Sequence, residues 1–202
     1  MTPASLYNAC KIRPMQPHDV PEVMELERLS FADPWPESAY TYELFFNPLA
    51  RYFVLEYRYP ARSFVEAWRN PTKPLNALIG LGGLRLEHTY PLQGHISTLA
   101  VHPDWRGRGL GEWLLQTLLQ QAIDLGALSV VLEVRVTNTL AQGLYEKYRF
   151  QVIDRLSGYY PNGEDAFYML AGPLDAAYRD FLKHHQQALQ ARLMVQATPE
   201  EG

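Results

Sequence analysis

The sequence predicts a mixed α/β domain, a sheet flanked by helices, and three observations carry that prediction. Runs rich in aromatic, β-branched and leucine residues recur as strands at RYFVLEYR (51–58), ALIGLGGLRLE (77–87), HISTLAV (95–101) and SVVLEVRV (129–136). Between the last two, Leu110, Leu114, Leu118 and Leu125 recur at helical spacing, so a crossover helix joins 95–101 to 129–136. The chain has 202 residues, 47% hydrophobic and 20% charged, which suits one well-buried core and is short for two full domains.

Taken in order, MTPASLYNACKIRP reads as a loose lead-in with an extended stretch at Lys11–Arg13, and it lacks the apolar centre of a secretory signal. Val23, Met24 and Leu26 set against Glu27 and Arg28 predict an amphipathic helix over Val20–Phe31. A short helix follows Pro36, with Asp33 and Ser38 as capping chemistry. The prolines and asparagines of 59–76 mark a long surface insertion rather than a tight hairpin. Gly126 is placed to end the crossover helix in the left-handed conformation. The apolar run 129–136 predicts a strand buried on both faces in a parallel pairing. The helix TLAQGLYEKY follows with the stripe Ala141, Leu144, Tyr145 and Tyr148, then strands FQVIDRL and AFYML around the turn YYPNGED. After Pro173 one amphipathic helix turns Ala177, Tyr178, Phe181, Leu182, Leu189 and Leu193 inward, and it is expected to be an accessory.

Composition and spacing remove several function classes. A net charge of −4 leaves no basic footprint for nucleic acid, and no apolar run is long enough to span a bilayer. Cys10 is the only cysteine, so an intrachain disulfide is impossible and a reduced, cytoplasmic setting is the simplest reading. No Ser-His-Asp set and no metal-ligand spacing is present, and no metal is expected.

The stretch WRGRGLGE at 105–112 carries the strongest local chemistry. A glycine-rich turn that opens a helix presents backbone N–H groups and the positive end of the helix dipole to an anion, so the expected ligand is a phosphate. A P-loop would end in Gly-Lys-Ser or Gly-Lys-Thr where this chain has Gly111 and Glu112. A dinucleotide-binding turn would place a third glycine at Glu112 and follow the first strand. The pattern [Gln or Arg]-x-x-Gly-x-[Gly or Ala] is met by Arg106, Gly109 and Gly111.

That last pattern resembles the acyl-CoA pyrophosphate loop of the GNAT family of N-acetyltransferases. Its context, TLAVHPDWRGRGLGEWLL, LEVRVTNTLAQGLYEKYRF, GYYPNGEDAFYML and ERLSFADPWPES, resembles the ribosomal-protein-alanine (RimI-type) subgroup. The resemblance covers 11–171, interrupted by the insertion at about 59–76, and leaves 174–202 as a C-terminal helix and tail. It implies a mostly antiparallel sheet with a central parallel pair of splayed strands, flanked by helices. It implies acetyl-CoA as co-substrate, held by Arg106, Gly107, Arg108, Gly109, Leu110, Gly111 and Glu112, by the backbone of Leu99, Ala100 and Val101 along the preceding strand, and by Asn138. The acceptor it implies is a peptide or protein N-terminus, that of a ribosomal protein starting with alanine. One departure is Arg149, where the family commonly has glycine.

The site residues carry a plainer reading beside the implied one. Glu133 stands out of pattern in an apolar strand; alone it fits an exposed carboxylate paired with Arg135, and by resemblance it is the general base that takes a proton from the amine. Tyr145 is by pattern a core aromatic and by resemblance the general acid for the thiolate. Asn138 is by pattern a helix cap. Tyr159 and Tyr160 are by pattern packing residues of a hairpin turn, pointing opposite ways if the strand is regular; by resemblance that turn, with Trp35, closes over the acceptor's first residues. Three functions stay open on these residues: N-terminal acetylation, acetylation of a small amine or antibiotic, and acyl-CoA binding without turnover.

Overall fold

Strand periodicity and turn chemistry translate into seven strands: β1 (Cys10–Pro14), β2 (Ala50–Arg58), β3 (Asn76–Glu87), β4 (Gln93–Val101), β5 (Ser129–Arg135), β6 (Gln151–Leu156) and β7 (Ala166–Ala171). The helices are α1 (Leu6–Ala9), α2 (Val20–Ser30), α3 (Glu37–Phe46), α4 (Leu110–Asp124), α5 (Thr139–Lys147) and α6 (Ala176–Val195). The structure, a computed structural model, describes residues 5–59, 76–87 and 90–197. The expected insertion therefore lies, apart from Tyr59 and Asn76, outside the described residues.

The strands form one sheet in the order β1-β2-β3-β4-β5-β7-β6, antiparallel throughout except between β4 and β5. That parallel pair is short. Only Gln93–Ser129, Gly94–Val130 and His95–Val131 are partners, and beyond them the two strands part. β5 instead pairs with β7 along Val130–Arg135. The apolar run of β5 is thus buried as expected, with Val130, Val131 and Leu132 all at 1% exposure or less, but its long pairing is antiparallel. The hydrophobic run reports burial, not the direction of the neighbour.

Helix α4 crosses β3 and β4 closely because β3 carries glycines. A Cβ on Gly80 would come within 2.9 Å of Leu114, and one on Gly82 within 3.2 Å of Leu118. At its other end the Gly126 N–H meets the Ile123 carbonyl at 3.0 Å and the Ala127 N–H meets that of Ala122 at 2.9 Å, with Gly126 at φ +84°, the expected left-handed stop. Among the described residues no helix is long and apolar enough to cross a membrane.

Three expectations need correction. Residues from Ser5 onward are no loose lead-in: Ser5 caps α1, Leu6 is fully buried, and the Leu6 N–H bonds to the Gln196 carbonyl at 2.8 Å. α3 has Pro36 at its N-cap with no side-chain cap; Asp33 is committed to Arg135 instead. Ala177 faces solvent, one residue off the stripe. Tyr178, Leu182, Leu189 and Leu193 of α6 turn inward as expected and are at most 3% exposed. Each such burial stabilises the fold by about 1.5–3 kcal/mol.

Candidate active site

The glycine loop ahead of α4 is made by backbone conformation. Gly107 and Gly109 take φ +77° and +85°, values that disfavour residues with a Cβ, and Gly109 is the N-cap of α4. No side chain caps this helix, and its first bond runs from the Trp113 N–H to the Gly109 carbonyl at 3.0 Å. The N–H groups of Leu110, Gly111 and Glu112 precede that bond and point out of the helix end. Around them Arg106 Nε donates to the Val101 carbonyl at 2.9 Å, folding the loop back on β4, and Arg108 donates to the Asp104 carbonyl. Leu110 is 1% exposed, so its contribution to a ligand is its N–H. Glu112 turns its carboxylate toward Lys147, Tyr148 and Arg192, which leaves its N–H, like that of Leu110, at the helix end.

From this loop β4 leads back to the opening between the strands. The edge of β4 that faces β5 has no strand partner from Ile96 to Val101, so Leu99, Ala100 and Val101 lie along the gap. A Cβ on Gly111 would sit 3.6 Å from Val101 Cγ2, so loop and strand end are in contact. Asn138 Oδ1 accepts from the Ala141 N–H at 3.2 Å, the cap expected of it.

Glu133 sits where the strands part. Its Oε2 is 2.7 Å from His95 Nε2, and the other ring nitrogen of His95 lies 3.3 Å from Glu87 Oε1 without hydrogen-bond alignment. His95 is 8% exposed and the Glu133 side chain 15%. The expected pairing of Glu133 with Arg135 does not form. Both residues point to the same face of β5, but Arg135 reaches away, to Asp33 Oδ2 at 2.8 Å and Glu164 Oε2 at 2.7 Å. Sequence reasoning missed His95; the usable signal was a second polar residue in an apolar strand, on the strand predicted to neighbour that of Glu133.

Tyr145 is 8% exposed, its ring 5.7 Å from that of Phe150, so the core-aromatic reading is correct as far as packing goes. Its hydroxyl makes no hydrogen bond to any described residue. Burial, and then the nearby Tyr160 phenol, hold it well above the ordinary tyrosine range, so it is a neutral O–H donor at physiological pH.

The acceptor side is assembled by side chains. Arg135 joins the α2–α3 connection, through Asp33, to the β6–β7 turn, through Asn162 and Glu164, and lays its guanidinium 3.8 Å from the centre of the Tyr160 ring. Tyr159 and Tyr160 do not diverge. Both lie in the turn after β6 rather than in a strand, their rings 5.1 Å apart and edge to face. Burial pushes the Tyr160 phenol up to about 12 despite the cation over it, and Glu133 acts on both phenols. Trp35 is tied from below: its N–H donates to Glu27 Oε2 at 3.0 Å, while Tyr40 donates to Glu27 Oε1 and packs its ring 5.8 Å from the indole. Burial raises the Glu27 carboxyl above the usual range although three hydrogen bonds oppose it. A cleft of about 360 Å³ lined by Tyr7, Cys10, Ile12, Phe53 and Trp113 holds none of these groups. Among the described residues no cluster of metal-ligating side chains occurs.

Comparison with known proteins gives the family and the fold. The model of the Acetyltransferase (GNAT) family matches residues 20–150. An N-alpha-acetyltransferase RimI of Mycobacterium tuberculosis is 34% identical over 155 residues, 75% of this chain and 85% of the relative. The ribosomal-protein-S18-alanine N-acetyltransferase of Escherichia coli shares the fold, with TM-score 0.64 and 23% identity over 81% of this chain and 94% of that one. So does a chain of the NatC complex bound to Gag peptide and CoA, with TM-score 0.66 and 23% identity over 81% of this chain and 98% of that one. With a glycine loop, a splayed parallel pair and these relatives, the chain belongs to the acetyltransferase (GNAT) family.

Proposed function

We propose that this protein transfers acetyl from acetyl-CoA to the α-amine of a protein N-terminus, that of a ribosomal protein beginning with alanine, by direct attack in a ternary complex. The carrying observation is the Glu133–His95 pair set at the point where β4 and β5 separate. The open first turn of α4 suits the pyrophosphate, and the unpaired edge of β4 suits the pantetheine arm as an added strand would. The RimI name of the M. tuberculosis relative, and the peptide and CoA in the NatC structure, support the acceptor class.

An α-amine has a pKa of about 7.7–8.0 and must lose a proton before it attacks. Glu133 accepts that proton, directly or through water, while His95 fixes the carboxylate. The nitrogen bonds to the thioester carbonyl carbon, the carbon–sulfur bond breaks, Tyr145 gives its hydroxyl proton to the departing thiolate, and the second proton shed by the nitrogen as it becomes an amide restores the Tyr145 hydroxyl. Arg135, Trp35, Tyr159 and Tyr160 frame the acceptor's first residues.

Release of free CoA thiol, measured with an alanine-starting peptide, a blocked peptide with an internal lysine, and spermidine, tests this. Turnover is expected with the first alone. Preference for spermidine would make it a small-amine acetyltransferase, and acetyl-CoA binding without release from any acceptor would make it a binding module.

A further inference from the structure

Resting on the acetyl-CoA reading of the loop, we infer that Arg192 of the terminal helix is a positioning residue for the cofactor: by neutralising Glu112 it keeps the N-terminus of α4 receptive to the pyrophosphate. Glu112 is the third residue of α4, and its side chain is only 9% exposed. An ionised carboxylate in a first helical turn uses the same dipole that an incoming anion needs. Here that charge is matched. Oε1 accepts from Lys147 Nζ and, at 2.7 Å, from the Tyr148 hydroxyl, while Oε2 accepts from Arg192 Nη2 at 2.7 Å.

The same guanidinium also borders the loop itself. A Cβ on Gly109 would lie 2.8 Å from Arg192 Nη2, so the guanidinium lies directly against the N-cap, where the φ of +85° favours glycine. Packing holds Arg192 there. Leu189 and Leu193 of α6 are 3% and 1% exposed and share a cluster with Leu110 and Leu114 of α4. Arg149 adds a second tie between α6 and the site. It holds φ +63°, which explains the glycine usual at that position, and places its guanidinium 4.1 Å from the centre of the Phe181 ring on α6. The family match ends at residue 150, and α6, which lies beyond it, reaches back to the loop through the Arg192–Glu112 pair.

Calorimetric titration of acetyl-CoA into wild type, Arg192→Ala, Arg192→Lys, Glu112→Gln and the Glu112→Gln/Arg192→Ala double variant tests this, alongside acetyl-transfer kinetics. Arg192→Ala is expected to raise the acetyl-CoA Kd and KM about tenfold at low salt, an effect that shrinks as salt rises, with kcat at saturating acetyl-CoA retained. Arg192→Lys should keep most of the affinity, and adding Glu112→Gln to Arg192→Ala should restore it. An unchanged Kd in Arg192→Ala, or a loss that Glu112→Gln fails to reverse, overturns the inference, the second outcome reducing Arg192 to a docking contact. If Arg192→Ala unfolds before titration, Arg192→Gln keeps the stem and is judged by the same criteria. Failure of wild type to bind acetyl-CoA would instead overturn the loop reading beneath it.

Discussion

The two ends of the site are built from different materials. The end we propose for the phosphate is backbone: two glycines with positive φ and an uncapped helix turn, whose side chains face the core or fold back on β4. The acceptor end is side chain: Arg135 bridges two separate connections, and a buried Glu27 anchors Trp35. Backbone presents the same N–H groups whatever most neighbouring side chains do, so the first end should fail chiefly at glycines and at the Glu112–Arg192 pair that sets the charge of its helix turn. The second end should respond to single charges.

The largest effect is expected between the two ends, at the groups we propose for proton transfer. Glu133→Gln and Tyr145→Phe should each lower kcat by about a hundredfold or more, with acetyl-CoA affinity little changed. Activity of Glu133→Gln should recover in part as pH rises through the acceptor amine's pKa, and that of Tyr145→Phe should not. Near-wild-type kcat in both would leave Glu133 a structural partner of His95 and Tyr145 a core ring.

Next, the backbone character of the phosphate end can be broken at Gly111. A Cβ there meets protein only at 3.6 Å, so Gly111→Val should fold, yet raise the acetyl-CoA Kd about tenfold or more by crowding the pyrophosphate. Gly109→Val is the blunter probe, since its clash with Arg192 and its φ of +85° disturb the protein before any ligand arrives. An unchanged Kd in a well-folded Gly111→Val would remove the phosphate assignment.

At the acceptor end, Arg135→Gln cuts the bridge between Asp33 and Glu164. The peptide KM should rise about tenfold while the acetyl-CoA KM stays constant. A shift in both constants would mean that Arg135 supports β5 rather than the acceptor groove.

The smallest effect distinguishes the two buried carboxylates by pH. Cations hold Glu112 below the usual range, so its stabilisation is present above an unfolded pKa of about 4.3 and is lost as pH falls through the lower folded value. Burial raises Glu27, so its contribution is complete below about 4.3 and is lost as pH rises through the higher folded value. Thermal melts across the acid range should show Glu112→Gln flattening the fall of Tm below about pH 4.3, and Glu27→Gln flattening the change above it. Parallel curves for the two variants would contradict the opposite signs.

Legibility in the sequence follows the same division. Helices α2, α4 and α5 and the core strands were readable because their periods are local, and the loop was readable because glycine spacing is local too. The lead-in was misread because the burial of Leu6 depends on α6, nearly the whole chain away. Tyr159 and Tyr160 were legible as turn residues beside Pro161, Asn162 and Gly163, but the edge-to-face packing of their rings and the guanidinium over Tyr160 are tertiary. Glu133 was out of pattern in its strand, but its partner was sought two residues along rather than across the sheet.

By itself, then, the sequence determined the elements, the glycine turn ahead of α4 and the polar residue out of place in β5, since each depends on a few neighbouring residues and their backbone preferences. The tertiary structure alone decided which charges meet. His95 joins Glu133 across 38 residues, Arg192 joins Glu112 across 80 and Arg135 joins Asp33 across 102. Such pairs leave no periodic trace, because their separation along the chain is set by the sheet order and by the short pairing of β4 with β5, after which the two strands diverge and open the site.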